Sequence, residues 1–404
     1  MTMSPSATPH SLAGLRVIDA ASLAAGPLVA TWLGELGAEV IKIEQPEGGD
    51  AVRQWGTQKD GVGLMWKSLG RNKKSVTLNL RTERGRDILR ELAGGADVLI
   101  MNLRPSTMER WGIDYASLSA ANERLVMVHI TGFGAGGPKS DRPGFGTLGE
   151  AMSGFAHMTG QPDGPPTLPS FMLGDGVAAL NATYAVLAAL YHRDVHDGSG
   201  QLIDVNLIEP LARLLEQPVL TYDQLGTIPA RSGNRWDISA PRNTYRTKDD
   251  RWLAMSGSAP SIAMRALRAV GREDLTTDPR FAEAQQRLRN AAEIDKVIAD
   301  WVAERTLDDA MSVFEEAGVA AAPVYDAEQL LADPQLRARN VYRRMADPEL
   351  GEMTVQGPVP MLSATPGRVD HLGPELGAHT DEVLGQLLDL TAEDLTSLRT
   401  EGVI

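Results

Sequence analysis

Gly174-Asp175-Gly176 stands where an irregular stretch gives way to a long apolar run, VAALNATYAVLAALY over residues 177–191. That run predicts a helix from about 176 to 193, apolar nearly all round and so buried on most faces. Asp175 falls at its first turn. There the free N–H groups and the helix dipole favour an ionised carboxylate, by about 0.3–1 kcal/mol at an exposed site. Such a group can attack an activated carbonyl or cap its own helix, and the local residues leave both uses open. The flanking glycines let backbone approach a ligand closely. The N–H of Gly176 is a candidate donor to a developing oxyanion. Arg104 and Arg110 lie six apart around a short helix start. They can converge on one phosphate with the planar geometry that suits it.

Other spacings point to chemistry and fail on context. Gly132, Gly134 and Gly137 spell G-x-G-x-x-G after a strand, but Pro138 and Pro143 follow, so no helix N-terminus is offered to a pyrophosphate. The first strand–helix–strand ends at Glu44, about where a dinucleotide fold places its ribose acid, yet its turn has Gly26 alone instead of three glycines. His192 and His196 have the spacing of a helical metal pair. Beside Asp194 and Asp197 they read as a solvated helix end, and His129 reads as a core histidine on a strand. No metal site is expected.

With no cysteine among 404 residues, disulfides, a thiol nucleophile and cysteine zinc sites are excluded, and a cytoplasmic setting is expected. The net charge of −14 argues against nucleic acid as a partner. Residues 1–10 read as a polar tail, and no apolar run approaches the length of a membrane span. Strands at 15–19, 39–43, 75–80, 97–101, 125–130 and 201–206 alternate with helices at 26–36, 83–93, 106–111 and 176–193. That order predicts an α/β chain with a mostly parallel sheet. The character changes after residue 210. A Gly, Pro and Arg-rich stretch leads into a strand at 251–256 and helices at 261–270, 291–304 and 307–318. The final TAED at 391–394 is a helix-start pattern.

Several separated segments resemble one family: SLAAGP at 22–27, LGAEVIKIE at 36–44, GGD at 48–50 and RNKKS at 71–75. NLRP at 102–105, RWG at 110–112, LGD at 173–175 and GSGQ at 198–201 follow. GAHTDEVL at 377–384 and EGVI at 401–404 complete the set. Their order and spacing resemble the family III coenzyme A transferases over nearly the whole chain, with 210–320 matching loosely. The resemblance implies a Rossmann-like large domain built from both chain ends, 1–209 and 321–404. It implies a linker at 210–243, a small α+β domain at 244–320 and an interlocked homodimer. It makes Asp175 the nucleophile on an acyl-CoA, passing CoA to a carboxylic acid through an aspartyl anhydride and an aspartyl–CoA thioester. CoA is then a substrate, with no permanently bound cofactor and no membrane partner.

The same resemblance places the nucleotide across Leu23, Ala24, Ala25, Leu78, Asn79, Asn102, Leu103, Arg104 and Arg110, with Arg71, Lys73 and Lys74 as secondary cations. Gln45 replaces an arginine of the formyl-CoA transferases, Ala24 replaces their glutamine, and their glycine loop is reduced to SGSA at 256–259, so oxalate is not supported. Trp55, Met65, Phe145 and Trp236 suit a partly apolar acyl pocket, and Arg231, Arg235 or Arg242 a second carboxylate. Racemases of the same fold need two opposed bases. Their His–Asp unit is replaced here by Phe145 and Gly146, and no carboxylate stands at 257–260. Transfer therefore outranks acyl-CoA racemisation. A non-catalytic CoA-binding protein is the reading that the presence of Asp175 argues against.

Overall fold

The computed structural model describes residues 10–404 in two compact units, the larger made of residues up to 155, 168–220 and 336–404, the other of 156–167 and 221–335. All but one residue of the proposed N-terminal tail lies outside the described residues.

The larger unit is built on six parallel strands: β1 (Arg16–Asp19), β2 (Glu39–Glu44), β3 (Lys73–Thr77), β4 (Val98–Met101), β5 (Val126–Thr131) and β6 (Leu202–Asn206). Their spatial order is β3-β2-β1-β4-β5-β6. This is the doubly wound arrangement, in which the direction of winding reverses between β1 and β4. Successive strand residues face opposite sides. Ile18, Ile41, Leu99 and Met127 pack on α2 (Glu83–Gly94), while Val17, Val40, Val98 and Val128 pack on α1 (Ala25–Glu35). Burial on both faces explains why the strands read as continuous apolar runs. The short α3 (Pro105–Trp111) starts on a proline, whose preset φ suits the first helical position, and leaves Arg104 extended at the N-cap. Next come α4 (Gly146–Met152) and α5 (Leu173–Val195).

α5 departs from expectation twice. It starts three residues earlier than the apolar run predicts, and it is not buried on most faces. Ala178, Ala179, Ala182, Val186 and Ala189 pack into the sheet core, while Leu180, Tyr184, Leu187 and Tyr191 form an exposed stripe. Small residues let the helix lie close to the strands, and its large side chains are left outside. By length and composition α5 also meets the measure of a membrane span, contrary to the reading that no run approaches one. Its alanine face belongs to the core of the sheet.

The segment taken as a linker is partly regular: α6 (Glu216–Leu225) lies in it and buries no residue. The smaller unit carries an antiparallel sheet, β7 (Arg242–Arg246), β8 (Trp252–Ser256) and β9 (Ala321–Pro323), in the order β9-β8-β7. α7 (Pro260–Ala269), α8 (Ala291–Ala303) and α9 (Leu307–Glu316) enclose its core through Leu267, Ile298 and Phe314. This unit ends at 335 rather than 320, and it takes in 156–167, where Gly233 donates to the Gly160 carbonyl at 3.0 Å. The chain then forms a hairpin, β10 (Tyr342–Asp347) and β11 (Gly351–Gln356), within the larger unit. α10 (Thr380–Leu388) and α11 (Ala392–Thr400) pack Leu384, Leu395 and Leu398 on the same sheet face as α2. Thr391 and Asp394 form the capping box expected at 391–394.

Candidate active site

In doubly wound sheets the crevice lies outside the carboxyl ends of the strands, where the winding reverses. Here that point is bounded by the turn after β1, Ser22 to Ala24, and the turn after β4, Asn102 to Arg104. Asn102 ties them together, accepting the Ser22 N–H at 3.0 Å and donating to the Ser22 carbonyl at 2.9 Å. Leu23 sits in the left-handed region at φ 71°, which costs a non-glycine residue of order 1 kcal/mol or more. Asp50 holds it there by accepting the Leu23 N–H at 3.0 Å. Asp50 is itself paired with Lys42 at 3.0 Å. Burial alone would raise the Asp50 carboxyl, but Lys42 and the N–H groups of Leu23 and Val52 hold it below its ordinary range.

Two cavities flank this clamp and share Ser22, Leu23, Asn102 and Leu103 as a wall. The first, of about 580 Å³, holds Asp175. Ala24, Ala25, Trp55, Met65, Arg104, Phe145, Gly146 and Glu150 also line it. The second, of about 400 Å³, is lined by Ile43, Gln45, Leu78, Leu80, Arg81 and Trp111. The structure therefore gathers most of the sequence-derived site residues around one reversal point.

Asp175 is half-buried and is the third residue of α5, after an N-cap at Met172. It is not the cap, so the structural use that local sequence leaves open does not apply. Burial pushes its carboxyl above the ordinary carboxylate range, and the negative charge of Glu150 pushes the same way. The N–H groups of Asp175 itself and of Ala25 face the carboxylate and pull partly back. Ala25 is the first residue of α1, so the starts of α1 and α5 converge on one carboxylate. The flanking glycines have a different purpose from the one read in sequence. A Cβ at 174 would come within 2.9 Å of the Gly146 carbonyl oxygen, so Gly174 permits close packing of α4 on α5. Gly176 is not a free donor: its N–H is spent on the Met172 carbonyl at 2.9 Å. The first-turn N–H groups of α1, Ala25 and Gly26, have no intrahelical acceptor and border the cavity instead.

Three further assignments change. Arg110 is exposed and lines neither cavity, whereas its neighbour Trp111 turns into the second. Asn79 lines neither, because its amide donates to the Gly402 carbonyl at 3.1 Å and its N–H to Val403 at 2.7 Å. The secondary cations are structural. Arg71 pairs with Glu35, Lys73 is buried against Asp19 at 2.9 Å, and Lys74 bonds Glu39 and Glu382. Trp236, Arg231, Arg235 and Arg242 belong to the smaller unit, where Arg235 pairs with Asp295 at 2.7 Å and Arg242 donates to the Asn234 carbonyl.

The decoys resolve on geometry. His129 bonds the Leu103 carbonyl at 2.8 Å in the core. No helix begins at the glycine run at 132–137, where Ala135 donates to Asp204 at 3.0 Å. Glu44 is held by Arg53 and Ser75. Among the described residues no group of three His, Asp or Glu could hold a metal ion. Residues that the sequence reading missed are Glu150, Arg142 and Gly26 in the first cavity and Arg81 in the second.

The Asp175 carboxylate thus stands at the reversal point of a doubly wound sheet, between the starts of two helices, and known proteins identify the class. Residues 12–380 match the family described as CoA-transferase family III. Over 403 residues, spanning all of both chains, the protein is 41 % identical to the succinyl-CoA–D-citramalate CoA-transferase of Chloroflexus aurantiacus. It is 33 % identical to the succinate–glutarate CoA-transferase of Agrobacterium fabrum, covering 96 % of this chain and 98 % of that one. A crystal structure of a CAIB/BAIF family protein from Brucella suis superposes with a TM-score of 0.83 at 30 % identity, covering 94 % and 99 % of the two chains. The chain belongs to CoA-transferase family III and is a CoA-transferase.

Proposed function

We propose that the protein moves CoA between a succinyl-type donor and a small dicarboxylic acid through covalent intermediates on Asp175. The observation that carries this is the Asp175 carboxylate facing the Ala25 N–H inside the cavity at the reversal point. Asp175 attacks the thioester carbonyl, the C–S bond breaks, and CoA thiolate leaves an aspartyl–acyl anhydride. The thiolate then attacks the aspartyl carbonyl and expels the donor acid, giving an aspartyl–CoA thioester. The oxyanion of that step forms on the Asp175 side chain, where the Ala25 and Asp175 N–H groups already point. The acceptor carboxylate attacks the thioester, its C–S bond breaks to release CoA thiolate and a second aspartyl–acyl anhydride, and the thiolate then attacks the acyl carbonyl, giving the new acyl-CoA and the free Asp175 carboxylate. No net proton is consumed, so the site has no need of an acid–base pair. Phe145 and Gly146, where a racemase has its His–Asp unit, suit this chemistry.

The dicarboxylate choice draws on the relatives named for citramalate and glutarate, and on Arg104 and Arg142. Both line the Asp175 cavity, and among the described residues neither guanidinium has an ion-pair partner. In a chain of net charge −14 such local cations are what an anionic substrate requires. The nucleotide fits the second cavity, with Leu78 and Trp111 as apolar walls and Arg81 as a cation. CoA is a substrate there and not a resident cofactor. The exposed stripe of Leu180, Tyr184, Leu187 and Tyr191 supports burial against a second copy of the chain.

The test is mass spectrometry after incubation with succinyl-CoA and no acceptor. The peptide holding Asp175 is expected to carry CoA, and hydroxylamine to convert it to the hydroxamate. Label on any other residue, or Asp175→Ala turnover above a few per cent of wild type, overturns the reading.

A further inference from the structure

Glu150 is a buried acid that none of these steps uses. It lies on α4, is 4 % exposed, and lines the Asp175 cavity. Its Oε1 accepts the N–H of Gly174 at 3.1 Å, one residue before Asp175. The glycines explain how it gets there. A Cβ at 146 would overlap the Asp175 carboxylate, and one at 174 would press on the Gly146 backbone, so α4 seats directly on the first turn of α5. Glu150 is one helical turn beyond Gly146 and shares its face. Placing a second carboxylate beside a half-buried one costs stability, and a neutral side chain could cap Gly174 without that cost.

We infer that Glu150 positions Asp175 and, through its negative charge, favours the acylated enzyme over the free carboxylate. The inference rests on Asp175 being the nucleophile. In the free enzyme the negative charge of Glu150 acts on the Asp175 carboxylate across the α4–α5 contact. In the anhydride and in the thioester the Asp175 charge is gone, so the repulsion is relieved at each acylation. Glu150 also occupies the Gly174 N–H, a helix-start donor that would otherwise stabilise the Asp175 anion. Both effects keep Asp175 reactive. The other charged groups lining the cavity are Arg104 and Arg142, and both oppose the Glu150 effect. The helix starts of α1 and α5 contribute N–H groups only.

Glu150→Gln keeps an acceptor for the Gly174 N–H and removes the charge. At a fixed ratio of succinyl-CoA to succinate, the fraction of enzyme held as aspartyl–CoA thioester, read by intact mass, is expected to fall. The expected change in the adduct-to-free ratio is about tenfold, the equivalent of one pKa unit of differential interaction. The acid limb of the kcat/KM profile moves to lower pH, while KM for the acid acceptor stays within about twofold. Glu150→Asp retains the charge with a shorter reach, and is expected to keep the acid limb in place while kcat falls. If Glu150→Gln matches wild type in adduct fraction and acid limb, Glu150 is a helix-start acceptor only and the inference is overturned. If Glu150→Gln is too unstable to assay, an acid limb shifted in Glu150→Asp overturns it as well. Adduct persisting in Asp175→Ala would instead sink the nucleophile assignment, so the two failures are distinguishable.

Discussion

Gly146→Ala is the smallest change that reaches Asp175, the proposed nucleophile, without altering it. A Cβ built at 146 overlaps Asp175 Oδ2 and lies 3.1 Å from its Cγ. Carbon–carbon contacts settle at about 3.5–4.0 Å, so the carboxylate or the start of α4 has to move by roughly 0.5–1 Å. The carboxylate gives way more easily, because Gly174 and Gly146 already lie backbone to backbone and leave the helices little room. A displacement of about 1 Å in a reacting group costs on the order of 100-fold in rate. The expected result is therefore a kcat/KM for CoA transfer reduced about 100-fold, with affinity for free CoA little changed, since the second cavity, the proposed nucleotide site, is untouched. Thermal melting controls for the fold. The overpacking itself is expected to cost about 1–3 kcal/mol, well short of unfolding a domain of this size. Turnover within about threefold of wild type would falsify the claim that Asp175 reacts from the position it occupies here. Gly146→Asp, which restores the residue type of the racemase pattern, meets a larger overlap and gains no second base, because Phe145 remains.

Arg104→Ala is expected to weaken binding of succinyl-CoA by about 1.5–3 kcal/mol, as loss of a charge-assisted contact does, whereas Arg110→Ala leaves it within about twofold; calorimetry giving equal losses would contradict the placement of the cavities. Asp175→Asn is expected to raise the melting temperature at pH 8. The native carboxyl titrates above its unfolded value, so wild type loses stability as pH rises from the ordinary carboxylate range through the raised native value, by about 1.4 kcal/mol per unit of difference. The gap between variant and wild type then stays constant at higher pH and closes below the unfolded value; a variant melting no higher than wild type at pH 8 refutes this. Asp50→Ala frees Leu23 from its left-handed turn and is expected to raise KM for succinyl-CoA at least tenfold; an unchanged KM would show that the turn holds itself.

The sheet and its helices were legible because strands such as Val98–Met101 are buried on both faces and so apolar throughout, and because α2 and α8 show helical periodicity. Asp175 was singled out through its family pattern, whereas the role given to Gly176 depended on a boundary. A helix beginning at 173 instead of 176 changes which N–H groups are free, and the Gly176 N–H passes from the free set to the bonded one. The cations at 71–74 look like a phosphate cluster in one dimension, because their acids, Glu35, Asp19 and Glu39, come from other parts of the chain. Arg110 and Trp111 differ by one position on a helix, about 100° of rotation, and that decides which faces the cavity. Glu150 gave no sequence signal. Only the packing of Gly146 on Gly174 brings it to the site.

The N-terminal signature acquires a physical meaning from the ions beneath it. Of its charged residues, Lys42, Glu44 and Asp50 are all buried, and with Asp19, Lys73 and Arg53 they form a continuous network under the turn after β1. Buried ion pairs seldom stabilise a fold more than apolar packing would, because desolvation offsets most of their attraction. What this network does is specify a conformation. Lys42 donates to the Ala21 carbonyl, Lys73 to the Pro27 carbonyl at 2.7 Å, and Asp50 takes the Leu23 N–H, so three anchors bracket the segment that starts α1. That segment sets the direction of the Ala25 N–H, which faces Asp175. These motif residues border the second cavity and also act on Asp175 through backbone geometry, and replacing them conservatively should alter the rate of transfer before it alters the fold.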